Sequence, residues 1–404
     1  MKTLAMCGGN PLFKPEDFKS VWPVVGRAET NAAARVAASG NWWRDVPNSE
    51  VAQFEREYAA YHDARHCLAV SNGTVAITAA LAALDLPPGA EVIVPSMTFI
   101  ASASAVIMAG GVPVFADIDP ATYQIAARSV EQHITRRTAG IVAVHYGGYP
   151  ANLDMLRRVA KRHGLFLVED CAHAQGSEWR GRKVGAIGDA GTFSFQQSKS
   201  LTSGEGGAVV TDRADVYEKA YAYHHIGRSL GADRYEHTIV GPNYRLTEFQ
   251  GAILRTQLRK LQRQTDTTMR NVAALFERLR DIPGLTPLKP DKRITQRGYY
   301  FVVIRYREGR MKDVPRDVFL RAVRAEGMPV HAAYRHPVYR VPVFAARKVG
   351  RMDYSKVRLP AVEHASDHEQ LAIPHQYFMY RENVARFAAI FAKVTGQLDA
   401  LRED

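Results

Sequence analysis

The chain predicts an α/β domain built on a mostly parallel sheet, followed by a smaller α+β domain. Between residues 66 and 211 lie short apolar runs that are nearly continuous rather than alternating, the pattern of strands buried on both faces. Segments with helical periodicity separate them, as βαβ units require. After residue 246 the rhythm changes to a long amphipathic helix and then to a strand–helix–strand order. The division is placed at residue 260: residues 1–260 form the large domain with an N-terminal arm, and 261–404 form the small one.

The first run, HCLAV (66–70), stops at Ser71–Asn72–Gly73–Thr74 and opens into a helical pattern over 74–84. Free N–H groups and the positive end of the helix dipole make such a junction an anion site, and a glycine there lets an oxyanion approach the backbone. Ser, Asn and Thr are equally at home as plain helix caps. The runs 91–94, 112–116 and 139–144 follow, then a helix over 152–163. GLFLV (164–168) ends in Glu169–Asp170, with Cys171–Ala172–His173 next. In sheets of this kind ligands bind outside the carboxyl ends of the strands, which is where that carboxylate pair falls. In GTFSF (191–195) alternation puts Thr192 and Ser194 on one face and Phe193 and Phe195 on the other. A polar loop with one lysine, Lys199, comes next. Glycines 204, 206 and 207 lead into the last run, 208–211. Beyond the long helix we expect a strand over 299–306, a helix over 315–327 and a strand over 328–334. No Gly/Ser linker parts the two domains.

Composition narrows the class. The 404 residues are 46% hydrophobic and 23% charged, ordinary values for a globular protein. No stretch approaches the roughly 20 apolar residues that span a bilayer, and the apolar run near the N-terminus is too short for a signal peptide. A cytoplasmic protein without a membrane partner is the expectation. Three scattered cysteines form neither a disulfide framework nor a metal pair, and no metal is expected. The formal charge of +12 is spread along the chain, without a helix-turn-helix, zinc finger or basic–aromatic stripe. It is read as solvated faces or attraction for small anions, not as nucleic-acid binding. The His224–His225 pair lacks metal-ligand spacing and is assigned to a helix surface or an interface.

One combination carries chemistry. An oxyanion cradle at Gly73–Thr74, a strand-end carboxylate and a serine–lysine loop are the three parts that pyridoxal 5'-phosphate requires. The lysine bonds the cofactor aldehyde, the carboxylate faces the ring nitrogen, and a helix N-terminus takes the phosphate.

At these residues the chain resembles the pyridoxal-phosphate-dependent sugar and cyclitol aminotransferases of the DegT/StrS group, which have fold type I. The likeness rests on ordered motifs: VSNGTVAITAAL (70–81), EVIVPSMTFIAS (91–102), VHYGGYPANLDML (144–156), VEDCAHAQG (168–176), FSFQQSKSLTSGEGG (193–207) and GPNYRLTEFQGAI (241–253). The resemblance implies Lys199 as Schiff-base lysine and proton shuttle, Asp170 at the ring nitrogen, and His173 beside the ring or its 3-hydroxyl. It further implies Gly73, Thr74 and Ser194 at the phosphate, Phe99 stacked on the ring, and Asn243 reaching the cofactor of a neighbouring subunit in a homodimer. Gln196, where sugar-nucleotide aminotransferases carry His, is more like the scyllo-inosose-type aminotransferases and the aminohydroxybenzoate synthases of antibiotic pathways. Gln196, Trp43, Tyr334 and His375 are the candidate substrate contacts. The implied activity is transfer of an amino group from L-glutamate or L-glutamine to a keto-cyclitol or keto-sugar by a ping-pong mechanism. Alternatives are a dehydratase or lyase of the aminohydroxybenzoate-synthase kind, a sugar-nucleotide aminotransferase, and a non-catalytic pyridoxal-phosphate-binding regulator.

Overall fold

A computed structural model describes residues 3–402. Among these, seven strands form the large sheet: β1 (His66–Val70), β2 (Glu91–Pro95), β3 (Val112–Ala116), β4 (Thr138–Val144), β5 (Phe166–Asp170), β6 (Ala190–Ser194) and β7 (Gly207–Thr211). Their order is β1-β7-β6-β5-β4-β2-β3. β7 runs antiparallel to both of its neighbours, and every other pairing is parallel. The two faces split by residue parity, as pleating demands. Leu68, Val92, Val94, Val142 and Val168 enter one core, while Ala69, Ile93, Ile141, Ala143 and Leu167 enter the other. β5 carries Glu169 and Asp170 within its last two positions, so the strand runs two residues beyond the apolar stretch.

The Gly73–Ala83 helix is buried almost all round, as expected of a helix pressed between the sheet and other helices. Phe193 and Phe195 anchor β6, packing edge-on against Tyr58 with ring centroids 5.2 and 5.5 Å away. One helix spans Glu248–Arg278, and the division expected at residue 260 falls inside it.

Beyond that helix lies a second sheet of β8 (Leu285–Pro287), β9 (Phe301–Tyr306) and β10 (Gln370–Pro374), with β9 in the middle and both pairings antiparallel. The strand expected over 328–334 is not formed. That segment makes a single bridge, His331 to Ala372, and β10 takes the sheet position instead. The N-terminal arm also differs from expectation, because Leu4 and Phe18 are buried in the core of the small domain. Phe18 stacks on Phe387 at 5.3 Å, and Glu326 accepts hydrogen bonds from the N–H groups of Ala5 and Leu12. No helix among the described residues is long and apolar enough to cross a membrane.

Candidate active site

The carboxyl ends of β1, β2, β4, β5 and β6 converge on a cavity of about 750 Å³. Gly73, Thr74, Phe99, Asp170, His173, Ser194, Gln196, Lys199 and Tyr334 all line it. Its floor at the first helix is an oxyanion cradle. Asn72 caps the helix, its carboxamide accepting from the Val75 N–H at 3.1 Å, while its carbonyl takes the Ala76 N–H. The N–H groups of Gly73 and Thr74 are thereby left to the cavity, as first-turn donors are. Gly73 leaves no room for a side chain, since a Cβ there would stand 2.7 Å from Ser194 Cβ and 3.2 Å from its Oγ. Overpacking of this kind costs about 1–3 kcal/mol. We expect Gly73→Ala to raise the cofactor Kd about ten- to a hundredfold, measured by titrating apoprotein with pyridoxal phosphate.

Asp170 is buried and doubly held. Its Oδ2 accepts from Ser102 Oγ at 2.6 Å, and its Oδ1 accepts from the Ala172 N–H at 3.1 Å. Having given its proton to Asp170, Ser102 accepts in turn from Thr98 Oγ1 at 2.7 Å. Sequence reasoning named neither hydroxyl as a site residue. The signal was their four-residue spacing at the start of a helix, one turn apart, over a strand-end carboxylate. Ser102→Ala leaves a carboxylate oxygen without its donor, a loss of roughly 1.5–3 kcal/mol for a charged acceptor. A fall in kcat of about tenfold or more, with the circular dichroism spectrum unchanged, is expected.

The neighbouring Glu169 faces the other way. It accepts from His145 Nε2 at 3.0 Å and from the N–H groups of Gly185, Ile187 and Gly188. Burial pushes its carboxyl pKa up, but His145 and these N–H donors outweigh burial and hold it below the ordinary value. This side chain pins the 185–188 loop beneath the sheet and takes no part in the cavity wall.

Lys199 is half-buried, with Nζ lying over the ring of Tyr300, 4.1 Å from its centroid. Burial lowers its pKa to about 8, opposed by the nearby Asp170 carboxylate. About a tenth of the amine is therefore free at pH 7, against well under a thousandth for an unperturbed lysine. The other partner of the Tyr300 ring is His173, stacked at 4.3 Å and 19°. Burial, reinforced by the Lys199 charge, drives the His173 pKa well down, so the ring is neutral. The Gly147 N–H donates to its Nδ1 at 3.4 Å, which leaves the proton on Nε2 to donate to Tyr334 Oη at 3.2 Å. Tyr334 keeps its own O–H for the cavity.

Gln196 lines the cavity, but its carboxamide oxygen is committed to the loop, accepting from Ser198 N–H and Oγ at 2.8 and 2.7 Å. The remaining candidates do not reach this wall. His375 is buried behind it, with Nδ1 donating to the Tyr300 carbonyl at 3.1 Å and Trp22 edge-on at 4.6 Å. Trp43 and Asn243 stand on the outer surface, where Trp43 bridges to Thr247 and Asn243 to His225. His224 and His225, expected at a helix surface or an interface, are both buried within the chain, His224 beside Arg44 at 3.0 Å and His225 against Asp45 at 3.2 Å. Arg44 explains this, since its guanidinium sits between Glu55 and His224 and needs both.

A fold type I α/β scaffold whose strand ends gather an amine, a carboxylate and a glycine-lined oxyanion cradle defines a pyridoxal-phosphate enzyme. Comparison with known proteins makes the class specific. The chain belongs to the DegT/DnrJ/EryC1/StrS aminotransferase family, whose model matches residues 25–392, and it is a pyridoxal-phosphate-dependent aminotransferase. It is 38% identical over 397 residues to the L-glutamine:2-deoxy-scyllo-inosose aminotransferase of Streptomyces fradiae, covering 92% of this chain and 93% of that protein. To the 3-amino-5-hydroxybenzoate synthase of Amycolatopsis mediterranei (strain S699) it is 39% identical over 325 residues, 80% of this chain and 83% of the relative. The crystal structure of a 3-amino-5-hydroxybenzoic acid synthase superposes with a TM-score of 0.86 at 35% identity, over 95% of this chain and all of the other.

Proposed function

We propose that this aminotransferase moves the amino group of L-glutamine or L-glutamate onto the ketone of a cyclitol, with donor and acceptor using one cavity in turn. The observation that carries the reading is the intact set of Lys199, Asp170 and the Gly73–Thr74 cradle opening on a single cavity, in a chain similar over nine-tenths of its length to a scyllo-inosose aminotransferase. When bound, pyridoxal phosphate supplies a carbonyl for the amine and an electron-withdrawing ring that acidifies the adjacent C–H bond. The chain's residues do the rest. Gly73, Thr74 and Ser194 would hold the phosphate, Asp170 would keep the ring nitrogen charged, and Phe99, 54% exposed at the cavity wall, would cover one ring face. His173 would stand beside the ring, and its Nε2 proton holds Tyr334 Oη at 3.2 Å. Lys199 would bond the cofactor, and its amine, with a pKa lowered to about 8, is the group placed to take up and return a proton in the cavity.

Asn243 serves the neighbouring copy in a homodimer with shared sites. It lies outside its own chain's cavity, and the adjoining segments expose Trp42, Trp43, Leu230, Tyr235, Ile239 and Val240. Apolar surface of that extent marks a protein contact. The test of function is incubation with L-glutamine and 2-deoxy-scyllo-inosose, read by mass spectrometry for an amino-cyclitol. A protein that instead dehydrates an amino-shikimate-type acid, or aminates nucleotide-linked sugars alone, sinks the cyclitol reading.

A further inference from the structure

Next to the main cavity lies a second, of about 200 Å³, which shares Ser198, Tyr300 and Tyr334 as a common wall. Its far side is built by Phe301, His331, Ala333, Pro374 and Gln376. Phe301 and Pro374 lie on β9 and β10, His331 on the bridge whose two backbone hydrogen bonds to Ala372 measure 2.9 and 2.7 Å, Ala333 two residues beyond it, and Gln376 in the short 3-10 turn His375–Met379 that follows β10. Three of the five far-side residues are thus fixed by sheet pairing, and Gln376 follows directly on a strand end. The dividing wall is braced as well. Gln370 Nε2 donates to the Tyr334 carbonyl at 2.7 Å, and Ser198 Oγ, which donates to Gln196, accepts from Tyr300 Oη at 2.9 Å.

Two side chains in the annex are left over by the internal hydrogen bonding. Among the described residues, neither the Gln376 carboxamide nor the His331 imidazole has a side-chain hydrogen bond, and both are half-buried. Half-buried polar groups facing a cavity are held for a ligand or for water. Burial lowers the His331 pKa, with Arg324 adding to it, so the ring is neutral and offers one donor and one acceptor. Phe301 and Pro374 supply apolar faces between them. The mixture suits a ring that presents C–H bonds on its faces and hydroxyls round its edge. The volume is below the roughly 300 Å³ at which pockets for drug-sized ligands begin, which leaves room for one six-membered ring and none for a nucleoside diphosphate.

We propose that this annex receives the hydroxylated ring of the amino acceptor, with Gln376 and His331 hydrogen-bonding its hydroxyls while its ketone points past Tyr300 and Ser198 toward Lys199. The inference rests on the cyclitol reading above and deepens it: the acceptor is a single free ring, selected by the size of the annex. An amino-acid donor has no row of hydroxyls, and timing the two half-reactions separately tells its use of Gln376 and His331 from the acceptor's.

The test compares wild-type holoenzyme with Gln376→Leu, which removes the hydrogen bonds, and Ala333→Leu, which fills the space. Binding of unreactive myo-inositol is followed by saturation-transfer NMR. The donor and acceptor half-reactions are timed separately by loss and return of the cofactor's visible band. We expect Gln376→Leu to weaken myo-inositol binding about tenfold and to slow the acceptor half by a similar factor relative to the donor half, with Ala333→Leu doing more. Equal slowing of both halves, or loss on the donor half alone, overturns the annex as an acceptor site, since it then holds the donor side chain or only supports the wall. If the wild type turns over 2-deoxy-scyllo-inosose and both variants match it, the annex assignment alone falls. If the wild type rejects free cyclitols, the functional reading falls with it.

Discussion

Lys199→Ala is expected to lower kcat by at least about 10⁴-fold while the protein still folds and binds pyridoxal phosphate. Loss of a positioned general acid–base alone costs about 10²–10⁴, and here the same amine is also the group that bonds the cofactor. The cradle and Asp170 do not depend on it, because their hydrogen bonds run to Asn72, Ser102 and Ala172. The visible band of the holoenzyme should therefore move to that of free pyridoxal phosphate without loss of stoichiometry. A pH dependence accompanies this. The lysine bonds the cofactor only as the neutral amine, and burial has lowered its pKa to about 8. Cofactor capture by wild-type apoprotein should rise with pH through about 8 and level off above it, whereas an exposed lysine would rise through about 10.4. A capture profile centred near 10 contradicts the burial argument, and turnover by Lys199→Ala contradicts the mechanism.

The second large effect falls on Asp170. Asp170→Asn keeps the volume; its one carboxamide oxygen can still accept from the Ala172 N–H while Nδ2 faces Ser102 Oγ, whose hydroxyl can turn to accept from it, so the cavity wall should stand. It removes the fixed negative charge opposite the ring nitrogen. Removing one preorganised electrostatic partner costs on the order of 10²–10³ in kcat, and we expect a fall of about that size with substrate KM little changed. Stopped-flow measurement of the donor half-reaction reads it directly. If kcat is within about fivefold of wild type, the carboxylate is structural and its hydrogen bonds to Ser102 and Ala172 are its whole role.

Much of this could be read before the fold was known. Strands buried on both faces write themselves as apolar runs, and the polar residues just after them had to lie at the sheet's carboxyl edge. Gly73, Asp170, Ser194 and Lys199 were accordingly legible as one site. The supports were not. Ser102, Thr98 and Tyr300 come from a helix start and from the other domain, and nothing local ties them to Asp170 or Lys199. β10 was missed because QLAIP is only five residues long and opens on a glutamine whose carboxamide turns out to be buried against Tyr146 and Tyr334. His375 was misjudged for a related reason: a histidine in a polar-looking segment gives no sign that it braces Tyr300 from behind.

The N-terminal arm has a bearing on how the chain folds. Leu4 and Phe18 complete a core whose other members include Phe319, Phe387 and Phe391. Closing a loop that long costs little more entropy than closing a shorter one, since the penalty grows only with the logarithm of length. The delay is in time, for domains form as units while synthesis proceeds. The large sheet is complete once residue 211 has emerged, but the arm's seat, which begins with Phe319 and Glu326, is finished only when the helix Arg381–Thr395 has been made. Through most of translation the two apolar side chains remain without a finished core, and a nascent chain stalled short of that helix would leave Phe18 without Phe387.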